Sequence, residues 1–325
     1  MKRLLLYIAS VFAGAALCAG EVSTGNGSLV YKSEAFGDSI TIAFDYCMAN
    51  NLFTFSRVDL NGHTVNATSS DNIGPFGLDG IGWSGGNHLN NNIRSARTDS
   101  VEVFSLPCLR PLAIDSTATY SCKGVLVKVH NALFMPADTT AVFALENICY
   151  TVSGNSIEVD AHHTFLPETP VLVDRYYGMQ SMFIGETEIL TPGGLYSQFT
   201  PVAEVNRFTK ASAPDFTVFI EHSPVAYQAS LLDCAEGTLG DRSLVDDNDV
   251  LFIGNSYSKS YHKTIGRKKV HKGMSTRWHG IYSWFSAPQN DSETTFAYPA
   301  CSGSEPTLIS IDKKSGHYNL TPLKR

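Results

Sequence analysis

Long stretches of this chain alternate polar with apolar residues, and that period of two constrains the fold more than any other feature. A helix repeats roughly every 3.6 residues and cannot put such a pattern on one face, whereas a strand half-buried on a core requires it. The runs are Ser39-Ile40-Thr41-Ile42-Ala43-Phe44-Asp45-Tyr46, Phe53 to Leu60, Val101 to Phe104 and Val125 to Val129. Further strands are expected over 140–152, 156–165, 216–221 and 250–254. Turn signals separate them: Asn61-Gly62, Ser153-Gly154-Asn155, Pro192-Gly193-Gly194 and Ala213-Pro214-Asp215. Strands at roughly eight to fifteen residue spacing imply an all-β antiparallel sandwich or barrel with few short helices. Residues 226–234 are the best remaining stretch for a helix. No repeat and no low-complexity linker divides the 325 residues, so one β-sandwich domain is expected over 21–325.

Residues 1–20 read as a signal peptide. Met1-Lys2-Arg3 is a basic start, 4–17 is apolar but for Ser10 and Gly14, and the small residues Ala19 and Gly20 follow. The chain is thus expected to be exported, to a periplasm or the extracellular side, with the cell surface as a further destination. Cys18 raises a lipid anchor as an alternative, but Leu17 is bulky where a lipid-attachment box wants Gly, Ala or Ser. No other stretch is long and apolar enough for a transmembrane span. Of the seven cysteines, six lie beyond the leader, and a chain of this size can build a core without disulfides. Free thiols are expected, with a hairpin-closing bridge between Cys108 and Cys122 as the one pairing the spacing suggests.

Composition then excludes several classes. Charged residues are 17%, against about 25% in an average soluble domain. The net charge is -7, so nucleic acid is not expected as a partner. No Gly-rich phosphate loop and no Gly-x-Ser-x-Gly elbow is found. Asp246-Asp247-Asn248-Asp249 lacks the Gly and terminal Glu of a calcium loop. No Cys/His spacing suggests zinc, so neither a metal nor a cofactor is expected.

Three regions gather the chemistry-bearing side chains. Residues 71–97 are rich in Gly and Asn and read as a long irregular loop presenting Trp83, Asn87, His88, Arg94 and Arg97. An aromatic face beside amide, imidazole and guanidinium donors suits a sugar ring or a uronic acid. The second region is Asp160-Ala161-His162-His163-Thr164-Phe165, followed by Arg175-Tyr176-Tyr177. On a strand, His162 and His163 point to opposite faces, so they do not chelate together. The third holds Trp278 and Trp284, expected in the core, after a basic stretch from Lys259 to Lys272 read as a solvated hairpin. An acidic glycan is the sharper reading of that stretch.

Gly86-Asn87-His88 early in the chain and His163-Thr164-Phe165 on a mid-chain strand resemble the galactose mutarotase-like, or aldose 1-epimerase-like, β-supersandwich group. That resemblance implies a sugar site flanked by His88 and His163. One histidine would protonate the ring oxygen and a later Glu, Glu221 or Glu293, would act as base on the anomeric hydroxyl. Three functions follow for comparison. The first is a carbohydrate-binding or carbohydrate-active protein using His88, His163 and Glu221 as acid and base, with Trp83, Asn87, Arg97, Arg175 and Tyr177 holding the substrate. The second is elimination on uronic-acid polymers. There Arg97 or Arg175 meets the carboxylate, His163 removes the proton and Tyr177 protonates the leaving oxygen. The third is a noncatalytic surface protein that binds glycan or protein.

Overall fold

The structure, a computed structural model, describes residues 19–66, 72–182, 188–191, 194–196, 205–208, 217–222, 225–236, 251–254, 259–286, 295–302, 305–312 and 318–322. Among them there is no α-helix, and antiparallel strands make up most of the chain. The period-two runs become the strands Asp38–Cys47, Leu52–Leu60, Ala96–Leu106, Gly124–Met135, Asp138–Ser153 and Ser156–Phe165. Residues 226–234, the weak helix candidate, are part of the strand Val225–Glu236. Its alanines and leucines favour a helix locally. Pairing on both sides, with Thr217–His222 and Ser275–Ser286, overrides that preference.

Two large sheets form the body. The N-terminal sheet has six strands in the order Ala118–Cys122, Ala19–Gly25, Ser28–Ala35, Asp38–Cys47, Leu52–Leu60 and His63–Asn66. The central sheet has ten, and Asp138–Ser153, Ser156–Phe165 and Ser275–Ser286 lie at its middle. Phe44 and Phe55 of the first sheet meet Tyr150, Tyr282 and Trp284 of the second edge-on at 5.2 to 6.5 Å between ring centres. Such edge-to-face pairs add to the area they remove from water. Trp278 and Trp284 are 1% and 2% exposed, as expected of core residues.

The inner face of the central sheet is wider than the N-terminal sheet covers. A four-stranded sheet, ordered Lys268–Val270, Val171–Tyr176, Phe76–Leu78 and Gly82–Ser84, covers part of the rest, and the strand Met179–Met182 of a second four-stranded sheet lies beside Tyr227 and Tyr282. Phe76 packs edge-on against Phe143 and Phe165 of the central sheet at 5.5 and 5.6 Å. Thus part of the expected 71–97 loop is strand, and it joins the Arg-Tyr-Tyr region and the basic stretch in one small sheet. Residues 246–249 and Glu293 lie outside the described residues. The thiols of Cys47, Cys108, Cys122 and Cys149 are free, so Cys108 and Cys122 form no bridge.

Candidate functional site

The small sheet has an outer face, and strand alternation decides what stands on it. Phe76 pairs with Ser84 and Tyr176, and all three are buried. The next residues along, Gly77, Trp83 and Arg175, pair in one row on the opposite side. Arg175 places its guanidinium carbon 5.4 Å from the Trp83 ring, and His88 stacks on the same ring at 4.8 Å and 29°. Gly77 makes this close approach fit. A Cβ there would lie 3.1 Å from Trp83 Cζ3 and 3.3 Å from Arg175 Cγ. Trp83, His88 and Arg175 therefore form one platform drawn from two strands and a loop.

Two asparagines that the sequence reading passed over hold the platform in place. Asn90 accepts from Trp83 N–H at 3.0 Å and donates to the Trp83 carbonyl at 2.7 Å, clamping that residue's backbone. Asn50, 1% exposed, donates to the carbonyls of Gly86 and His88 at 2.7 and 3.1 Å and accepts from Ser95 N–H at 2.8 Å. Asn87 is also a fastener, accepting from Ala49 N–H at 2.6 Å. A run of Asn between Gly and Ser looks like a solvated loop in sequence. Only the fold shows which amides turn inward to serve loop carbonyls.

Beside the platform runs a chain of charges. Arg175 Nη1 lies 3.3 Å from Asp174, and Arg267 reaches Asp174 at 3.4 Å and Asp79 at 2.6 Å. Arg97 is occupied differently, paired with Asp99 at 2.6 Å and lying 5.6 Å over Phe134.

His163 is on the inner side of the same small sheet, fully buried. Its Nε2–H donates to Glu146 Oε2 at 2.8 Å and lies 3.2 Å from the Tyr176 hydroxyl. Trp278 Nε1–H donates to that hydroxyl at 3.1 Å. Glu146 accepts from Asn131 at 2.7 Å, and Asn131 accepts from Thr98 at 2.7 Å. Burial, and secondarily the Glu146 charge, raise the Tyr176 hydroxyl well above the usual phenol range, so it stays protonated. The sequence carried a signal for Glu146. It shares a strand face with Ala144, Ile148 and Tyr150, all buried.

The acid/base trio expected from the sequence does not come together. The strands bearing Phe76 and Tyr176 stand between His163 and the outer face that carries His88. Glu221 pairs with Ala226, which pairs with Phe285, whereas His163 pairs with Thr276. Thr276 and Phe285 are nine residues apart on one strand, about 30 Å. Tyr177 is 9% exposed and packs edge-on against Tyr261, away from solvent. His162, as expected, faces away from its neighbour and is half-buried on the outer side of the central sheet, next in register to Arg277. Arg277 makes a two-pronged pair with Asp160 at 2.6 and 2.7 Å. Among the described residues no group of His, Cys, Asp and Glu could hold a metal.

No family model matches this sequence, and no curated protein matches it. Among solved structures it is similar to a GH36 alpha-galactosidase from Geobacillus stearothermophilus, with a TM-score of 0.48 and 9% identity over 81% of this chain and 41% of that one. It is also similar to a heparan sulfate lyase from Pedobacter heparinus, at 0.38 and 9% over 93% and 42%. A proposed aldose 1-epimerase from Klebsiella pneumoniae scores 0.30 at 8% identity over 80% of each chain. The chain spans about two fifths of the length of the lyase and of the galactosidase.

Proposed function

We propose that this is an exported carbohydrate-recognising protein whose site is the Trp83–His88–Arg175 platform. The observation that carries the reading is the convergence of an indole, an imidazole and a guanidinium on the outer face of one small sheet. Aromatic rings with hydrogen-bonding rims suit sugars, whose CH faces are apolar and whose hydroxyls need donors and acceptors. Export is inferred from the leader-like residues 1–20 alone.

Recognition is favoured over turnover. An epimerase or a lyase of the kind set out above would route a proton through His163, which is fully buried. A general acid or base must come within hydrogen-bond reach of the atom it serves. With His163 and Tyr177 packed inside and Glu221 far along the sheet, His88 is the one member of the expected acid/base trio left on the platform.

Tryptophan fluorescence tests the proposal. Trp278 and Trp284 are buried, so Trp83 is the tryptophan that a ligand at the surface would perturb. Titration with mixed oligosaccharides should give a saturable signal in the wild type that Trp83→Ala abolishes. An undiminished affinity in Trp83→Ala would refute the assignment.

A further inference from the structure

We infer that the ligand of this platform is an acidic polysaccharide, lying across the four-stranded sheet from Trp83 towards Lys269; this rests on the saccharide reading above. The small sheet joins two sequence regions that look unrelated. Its strand Val171–Tyr176 carries Arg175 and pairs on one side with the Trp83 hairpin and on the other with Lys268–Val270. Arg267 closes the row, and the exposed Lys269 stands opposite Leu172 at the far edge.

Charge decides the class of sugar. Arg175, Arg267 and Lys269 are three cations against two carboxylates, Asp79 and Asp174, on a chain whose net charge is -7. A local cationic strip on an acidic protein attracts anionic partners to that strip alone. Arg175 is the specific element. Its guanidinium carbon lies 5.4 Å from the centre of the indole, and its Nη1 lies 3.3 Å from Asp174, at the long end of an ion pair. A planar, permanently charged guanidinium matches a carboxylate better than a hydroxyl. Arg97, the other candidate for this role, is already paired with Asp99.

Size decides polymer over monomer. Three strand spacings separate the Gly82–Ser84 and Lys268–Val270 strands, about 14 Å, which is wider than one sugar ring.

The test compares polygalacturonate with its fully methyl-esterified form, which keeps the backbone and removes the charge, with alginate and heparin as further acidic polymers. Isothermal titration at low salt should show the acid form bound at least about tenfold more tightly than the ester, with the gap narrowing at high salt. Arg175→Gln should lose about tenfold on the acid form and clearly less on the ester, and Lys269→Gln a few-fold on the acid form with ester binding unchanged. Arg57→Gln, an exposed arginine paired with Asp59 on the N-terminal sheet, should change neither. Thermal melting of each variant confirms that it folds. Equal affinity for acid and ester, equal losses on both with Arg175→Gln, or no binding of all three acidic polymers overturns the acidic class. Binding of the ester lost in Trp83→Ala would then leave the saccharide reading standing. Binding of every polymer undisturbed by Trp83→Ala removes that reading as well.

Discussion

Two clusters of the same residue types lie back to back across one small sheet. Outside are Trp83, His88 and Arg175; inside are Trp278, His163, Tyr176 and Glu146. Arg175 and Tyr176 are neighbours in sequence, as are Phe76 and Gly77, yet each pair puts one residue on each face of the small sheet. Inside, the groups bond in series, indole to phenol, imidazole to carboxylate and amide to carboxylate, while His163 Nδ1 is buried without a hydrogen-bond partner. Such a buried polar chain favours one arrangement of the sheets, because removing a partner leaves a further buried group unpaired. Outside, Trp83, His88 and Arg175 are only partly buried. The difference is one of strand parity. Histidine and tryptophan do not signal a site by themselves; the face they stand on does.

The comparison can be broken at several points. Glu146→Ala should have the largest effect on stability, about 3 kcal/mol, since it strands the donors of His163 and Asn131 in the core. Urea denaturation measures it, and glycan affinity per folded molecule should hold. A loss of affinity without a loss of stability would mean that the inner cluster serves the ligand. Asn50→Ala should cost about 2 kcal/mol and also weaken glycan binding, because it frees the carbonyls of Gly86 and His88 beneath the platform. Tyr176→Phe keeps the 3.9 Å stack on Phe76 and removes only the hydroxyl between His163 and Trp278. About 1 kcal/mol is expected, again by denaturation.

The adjacent histidines sharpen the contrast further. Burial first, then the charges of His163 and Arg277, lower the pKa of His162 from 6.5. Its neutral form is therefore favoured by folding. The stability tied to it is complete above the unfolded value and is lost as pH falls through that value towards the folded one. His162→Asn should flatten this acid limb in the denaturation midpoint between about pH 5 and 7, a small effect in keeping with the residue's half-exposed position. An unchanged slope would place the titration on another group.

Much of the fold was legible because alternation is a local property. Strands such as Ser156–Phe165 followed from it directly, and so did the opposed faces of His162 and His163. Which of the two faces would be sealed was not legible. It depends on Phe76 and Tyr176, which arrive from distant parts of the chain to cover His163. The same holds for Glu221, whose distance from His163 is set by the register of two intervening strands. Trp83, His88 and Arg175 were each picked out by residue type, but their meeting depends on pairing between Phe76–Leu78 and Val171–Tyr176, and on a glycine between them. The weak helix candidate near 226 is strand for a related reason: local propensity yields to two flanking strands.

The most direct test sets one residue from each cluster against the other. Binding isotherms for an oligogalacturonate, taken on Trp83→Ala and on His163→Gln and normalised to folded protein, should show affinity lost in the first and kept in the second. Affinity kept in Trp83→Ala and lost in folded His163→Gln would contradict the account and move the site to the inner cluster.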